Sequence, residues 1–125
     1  MDLIKTLLLA SLAVFAPIQA VIITVGVLIF TDLILGIMAA RKRKEAITSG
    51  AMRRTVTKMF VYQVAVMTGF LGETFLLGGL VPVSKLVAGV IGMVEIKSIL
   101  ENSSEITGLD FKSVIKKLGS KNDTE

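Results

Sequence analysis

Three acids, Asp32, Glu73 and Glu95, stand inside otherwise apolar runs of this 125-residue chain, and Lys85 opens the last of those runs. An ionised, unpaired carboxylate near the centre of a bilayer costs roughly 2.5–3.5 kcal/mol or more. Each acid must therefore face protein or water. Such groups can relay protons, hold a cation or line a polar pore; equally, they can be hydrogen-bonding glue between helices, or snorkel to the nearer surface. For Asp32, the deepest of the three, both readings stand. Glu95 lies near the end of its run beside Lys97, which favours glue. Catalysis finds no support. Ser84, Ser98 and Ser103 have no base, no glycine-rich phosphate loop is present, and the chain has neither Cys nor His. That excludes thiolate chemistry, Cys/His zinc sites and histidine acid–base catalysis. No catalytic residue, cofactor or metal site is expected.

The elements that must position these acids are helices. Hydrophobic residues make up 53% of the chain, and the 19% that are charged gather mostly in one loop and one tail. A soluble domain of this size spreads its charge over its whole surface. The pattern predicts an all-α integral membrane protein of three to four transmembrane helices plus a C-terminal amphipathic helix. A transmembrane domain, 1–100, would hold spans at about 3–18, 21–40, 59–81 and 83–100, with a basic loop at 41–58; residues 101–125 form a tail. About 20 apolar residues cross the hydrocarbon core as a helix some 30 Å long. Residues 1–20 fall slightly short of that and resemble a signal peptide, with small residues at Ala16 and Ala20. Because the chain grows more apolar after Ala20, a first span or an interfacial helix, with Pro17 at its outer turn, is preferred to cleavage.

Helical spacing groups the polar residues into faces. Thr24, Leu28, Asp32, Gly36 and Ala40 share one, on which Gly36 and Ala40 allow another backbone close. Tyr62, Val66, Gly69 and Glu73 form a second. Lys85, Gly89 and Gly92 form a third that continues to Glu95, and Lys85 can snorkel or reach Glu73. The uncharged stretch Gly78-Gly79-Leu80-Val81-Pro82 reads as a tight hairpin.

Orientation comes from the loop. Arg41, Lys42, Arg43, Lys44, Arg53, Arg54 and Lys58 stand against Glu45 alone, a local +6 that exceeds the net +4 of the whole chain. Thr48-Ser49-Gly50 is its expected turn. Lys and Arg beside apolar runs stay cytoplasmic, so this loop and the tail are placed inside and the hairpin outside. Contact with anionic lipid is a further use of the charge. Nucleic acid is not an expected partner, because the basic residues flank membrane segments and stacking aromatics are few. In the tail, Thr107 with Asp110 reads as a capping-box variant. A helix over about 108–118 then sets Phe111, Val114, Ile115 and Leu118 opposite Lys112, Lys116 and Lys117, and Gly119 is placed to end it. That helix should lie on the cytoplasmic leaflet, with 121–125 disordered.

Two stretches carry a family resemblance. The first is Thr31-Asp32-Leu33-Ile34-Leu35-Gly36-Ile37-Met38-Ala39-Ala40, followed by the basic run and Ser49-Gly50. The second is Glu95-Ile96-Lys97-Ser98-Ile99-Leu100-Glu101-Asn102, followed by Gly108. Together they resemble the phage-lysis and toxin-secretion holins, over roughly Val21 to Leu118. Glu95, Ser98, Glu101 and Asn102 are the most specific part. The chain departs from that pattern after Gly108, where Leu109-Asp110-Phe111 stands in place of frequent prolines. The resemblance implies a multi-pass protein of the bacterial inner membrane that oligomerises and permeabilises it. A cell-wall-degrading endolysin, or a toxin, is thereby released and the host lyses. Its implied partners are further copies of the chain, inner-membrane lipids, an endolysin needing no direct contact, and a possible antiholin. Two other functions also fit the residues: a small proton-coupled transporter and a non-conducting membrane scaffold.

Overall fold

The computed structural model describes residues 2–121. It contains helices and turns, with no strand among the described residues: α1 (Asp2–Phe15), a 3-10 turn (Ala16–Ile18), α2 (Gln19–Lys42), α3 (Ser49–Leu71) ending in a π turn (Gly72–Leu76), α4 (Val83–Thr107) and α5 (Phe111–Lys121). The expected all-α class is correct. The helices, however, run well past the spans expected of them. Most of the expected basic loop is helical, and only Arg43–Thr48 connects α2 to α3. Thr48 is not a turn residue but the N-cap of α3, its Oγ1 accepting from the Ala51 N–H at 3.2 Å. Capping satisfies one of the orphan donors of a first helical turn.

Local chemistry sets each boundary. Pro17 lacks an N–H and its ring crowds the preceding turn, so the ladder tightens to a 3-10 turn before α2 resumes. α1 and α2 thus form one 41-residue helical stretch. At the far end of α2, Lys44 turns left-handed (φ 60°), the Glu45 N–H donates to the Ala40 carbonyl and the Lys44 N–H to the Arg41 carbonyl. This is a Schellman closure, made here without glycine. Gly78 and Gly79 take φ 58° and 77° in the turn between α3 and α4, conformations that L side chains rarely adopt, so the expected hairpin forms there. α4 continues through Thr107, past its expected end at 100, to a left-handed Gly108. α5 is capped by Asp110, whose Oδ1 accepts from the Ser113 N–H, while Thr107 accepts only from Leu109. The expected capping box at Thr107 is therefore corrected to a cap at Asp110. α5 also passes through Gly119, since a helical glycine costs only about 1 kcal/mol. Of the segment 121–125 expected to be disordered, Lys121 closes α5 and 122–125 lie outside the described residues.

α2, α3 and α4 form the bundle. Gly36 meets Asn102 and Gly92 meets Leu28, so α2 and α4 run parallel; Gly69 meets Ser84 while Lys58 meets Glu95, so α3 runs antiparallel to α4. Two ends follow: a loop end, at Arg43–Thr48, and a hairpin end, at Leu77–Pro82. The core between them is small: Ile18, Val25 and Ile29 from the turn and α2, Val66 and Phe70 from α3, and Ile91 from α4. Outside it, Phe30, Val56, Phe60, Leu86, Val90 and Met93 are exposed. An apolar coat of that extent suits lipid, not water. In lipid the bundle is held by close packing and by interhelical hydrogen bonds, each worth about 0.6–2 kcal/mol. Among the described residues two continuous helices, Asp2–Lys42 and Ser49–Leu76, are long and apolar enough to cross a membrane. Every residue from Asp2 to Val14 is exposed; only Phe15 turns inward, its ring 6.2 Å from that of Phe70.

Candidate functional site

At the loop end one lysine joins three helices. Lys58 of α3 reaches Asp32 Oδ2 of α2 at 3.1 Å and Glu95 Oε2 of α4 at 2.9 Å. The register explains this. Parallel α2 and α4 set Asp32 level with Glu95, and antiparallel α3 brings its own loop-proximal turn to the same height. One α4 stripe carries Glu95, Ser98 and Asn102. Asn102 Nδ2 donates to the other Asp32 oxygen at 3.2 Å, close over Gly36, where an added Cβ would lie 3.6 Å from that nitrogen. Glu95 is fully buried, whereas the Asp32 side chain keeps 13% of its surface and Lys58 29%. Two carboxylates thus share one ammonium, and Glu95 Oε1 is buried without a hydrogen-bond donor.

A second tie lies beyond the cluster. Lys42 Nζ donates to the Glu105 and Ile106 carbonyls at 2.6 and 3.2 Å, closing the C-terminal end of α4, where a cation also complements the helix dipole. Arg43 pairs with Glu45 at 3.0 Å and with Glu105 at 2.6 Å. Hydrogen bonds donated to Glu45 and then to Glu105 hold the Arg43 guanidinium firmly protonated, and Arg43 holds the Glu45 carboxyl below its ordinary value. Between this tie and the cluster lies a cavity of about 390 Å³, with Asp32, Ser98 and Asn102 at its depth and Arg43, Glu45 and Thr48 towards the loop.

The hairpin end is organised differently. Glu73, in the π turn, accepts from both the backbone N–H (2.7 Å) and the hydroxyl (2.8 Å) of Ser84, capping the first turn of α4. Glu73 does not pair with Lys85, the partner open to it in the sequence; Ser84 is nearer along the turn and fully buried beneath it. Lys85 instead opens an apolar groove of about 470 Å³ between α2 and α4, where Gly89 and Gly92 lie. Gln63 bridges α3 to the Ile22 carbonyl of α2 at 2.9 Å.

Of the residues singled out by sequence, Asp32 and Glu95 come together with Asn102, Ser98 and Gly36 beside them. Glu73 stands apart at the other end. Ala40 lines the cavity, Ser49 and Gly50 begin α3, and Gly108 ends α4. Glu101 pairs with Lys112 at 2.9 Å. Arg41, Lys44, Arg53, Arg54, Lys116 and Lys117 are exposed, with no ion pair among the described residues. Lys42, Arg43 and Lys58, read as orienting charges, also tie parts of the bundle together. The pairing of Lys58 with Asp32 and Glu95 was the feature that sequence reasoning missed. The available signal was depth: a cation at the inner end of one span, level with lone acids of its neighbours.

A small bundle of long apolar helices, coated in apolar side chains and pairing its intramembrane acids with Lys58 and Ser84, is a helical membrane protein. Among known proteins, the bacteriophage holin family matches residues 10–121, and the chain belongs to that family. It is not a family of enzymes. No individual curated protein and no solved structure matches the chain.

Proposed function

We propose that this protein is a holin of the phage-lysis type, which accumulates in the bacterial inner membrane, oligomerises and opens it to a cytoplasmic endolysin or to a toxin. Family membership over nearly the whole chain supports a holin role. The observation that carries the mechanism is the filled interior of a single copy. Val25, Ile29, Val66, Phe70 and Ile91 close the bundle between the Asp32–Lys58–Glu95 cluster and the Glu73–Ser84 cap. One copy therefore offers no continuous polar path through its core, and a lesion must form between copies. The charged seam sets the balance: while Lys58 holds α2, α3 and α4 together, the polar face formed by Asp32, Ser98 and Asn102 is spent within one molecule. Once several copies meet, that face can turn towards a shared aqueous lumen. In lipid no hydrophobic driving force holds the helices together, so such rearrangement costs less than in a soluble bundle.

In this reading the basic loop and the tail lie in the cytoplasm and the Gly78–Gly79 hairpin outside, because Arg41, Lys44, Arg53 and Arg54 remain free to resist translocation. α5 lies on the inner leaflet, with Val114, Ile115 and Leu118 towards the acyl boundary and Lys116 and Lys117 towards headgroups, each lysine worth about 1 kcal/mol near anionic lipid. An antiholin, if the phage or host encodes one, would act on assembly.

The test is induced expression in bacteria with and without a cytoplasmic endolysin. Membrane potential should hold and then collapse abruptly, with lysis only when endolysin is present. Sustained high expression with an intact potential in a permissive host would overturn the proposal. Substrate-specific flux abolished by Glu73→Gln would favour a transporter instead. Orientation is checked on this Cys-free chain with Ser49→Cys, which should resist impermeant thiol reagents applied outside intact cells.

A further inference from the structure

The Asp32–Lys58–Glu95 cluster is reached unequally from its two sides. Towards the loop end, the 390 Å³ cavity runs from the exposed residues Glu45–Thr48 down to Asp32, with Ser98, Asn102 and Thr55 along its wall. Water can follow such a lining, since the polar groups of Thr48, Thr55, Ser98 and Asn102 are interspersed among its apolar residues. Towards the hairpin end, buried apolar residues close the bundle, Ile29 and Ile91 one turn on and Val66 two turns on; of the polar side chains at that level, Tyr62 packs against the core and Gln63 is bound to the Ile22 carbonyl. The groove that opens on that side, between α2 and α4, is floored by Leu28, Ala88 and Gly92 and offers water little.

The charged groups around the cluster are few. α2 contributes Asp32, α3 contributes Lys58 and, at the cavity wall, Arg54, and α4 contributes Glu95 and the neutral Asn102. The connecting loop contributes Arg43 and Glu45, which pair with one another. Tyr62, one turn from Lys58, packs against the apolar core. The two contacts that tie α3 to α2 and α4 through Lys58 thus depend on Asp32 and Glu95 being ionised, and one of the two lies at the floor of a vestibule that opens towards the loop end.

We propose that this cluster is a latch that protons reach from the loop side only, so that acidification on that side, and not on the other, releases Lys58 and frees α3 from α2 and α4. The sign follows from the contacts. Ionised carboxylates hold Lys58; a protonated carboxyl leaves the ammonium only a weaker ion–dipole hydrogen bond. The inference deepens the holin reading, because a sided latch would make assembly answer to the state of the compartment holding the loop.

The experiment uses the full chain in vesicles sorted for one orientation, with spin labels at Arg41→Cys on α2 and Val56→Cys on α3, both exposed positions. Loop-side acidification should lengthen the label distance, and acidification of the opposite side should leave it unchanged. Asp32→Asn combined with Glu95→Gln, which imitates the protonated pair while keeping Glu45, Glu101 and Glu105, should show the long distance throughout and lose the pH response. Glu95→Gln alone, which keeps one ion pair and guards against a misfolded double variant, should still respond. An equal response from both sides, no response, or a response surviving in the double variant would overturn the latch. Release of an entrapped dye is followed in the same vesicles. Distances that respond without dye release would retain the latch and sink the holin reading. Dye release indifferent to which side is acidified would do the reverse.

Discussion

The two ends of the bundle use the same residue type for different work. At the hairpin end Glu73 places both its bonds on Ser84, eleven residues away across one turn. At the loop end Lys58 ties residues 26 and 37 positions away in sequence, and Asn102 reaches Asp32 from 70. The first arrangement shapes a local turn and a helix start. The second fixes the register of three helices at once. An acid in a membrane helix is thus no single kind of signal: its sequence distance from its partner decides whether its loss frays a hairpin or loosens the bundle.

The largest expected effect is that of Lys58→Met, which leaves two carboxylates facing each other with Asn102 as their only neutral partner. Removing one member of a buried ionic group costs about 3–5 kcal/mol, and the partial exposure of Lys58 sets the expectation at the lower figure. Unfolding of the reconstituted protein by steric trapping measures it. Glu95→Gln should recover part of this loss in the double variant, with a coupling of about 1–3 kcal/mol. Strict additivity would show that the cluster is not a unit.

Single neutralisations should be milder, because the remaining acid still balances Lys58. Glu95→Gln and Asp32→Asn are each expected to cost within about 1–2 kcal/mol. Depth along the apolar run alone would make Asp32 the more sensitive of the two. Burial reverses that order: Glu95 is fully enclosed while Asp32 touches the cavity, so Glu95→Gln should be the larger change. At the other end, Glu73→Gln and Ser84→Ala should each cost about 1 kcal/mol, the value of a lost helix cap, and their effects should stay confined to the hairpin in local accessibility measurements. A Glu73 substitution as costly as Lys58→Met would erase the distinction between the ends.

What the sequence made legible follows the same division. Helical faces, the glycine hairpin and the acids were visible from periodicity and turn chemistry, which are local. The motif carrying Glu95, Ser98 and Asn102 pointed to the family and to one stripe of α4. The pairing itself was not visible, since the parallel register of α2 and α4 is set by packing of Leu28 on Gly92 and Gly36 on Asn102, contacts some 64 to 66 residues apart. Lys58 looked like one orienting charge among seven for that reason. The helix boundaries were misplaced where a membrane span was equated with a helix: α3 begins at a threonine cap in the basic stretch, outside any apolar run.

The smallest expected effect sharpens the comparison at the periphery of the loop end, where α5 meets α4. Lys112 hydrogen-bonds Glu101 and holds its carboxyl below the ordinary value, with both side chains largely exposed. The folded value is lowered, so the contact contributes fully above the ordinary glutamate range of about 4.3 and is lost as the pH falls through the lowered value. Being exposed, it contributes little, and salt should weaken it further. A nitroxide at Val114→Cys should therefore gain mobility only in strong acid, and Glu101→Gln should give a slightly mobile label at every pH, while the α2–α3 distance near Lys58 stays unchanged by that substitution. A label indifferent to both changes would assign the docking of α5 to the Phe111 N–H donating to Ser104 and to the lipid surface instead. Movement of the Lys58 region on Glu101→Gln would mean that the tail and the cluster are one mechanical unit, and the loop end would then extend to the last helix of the chain.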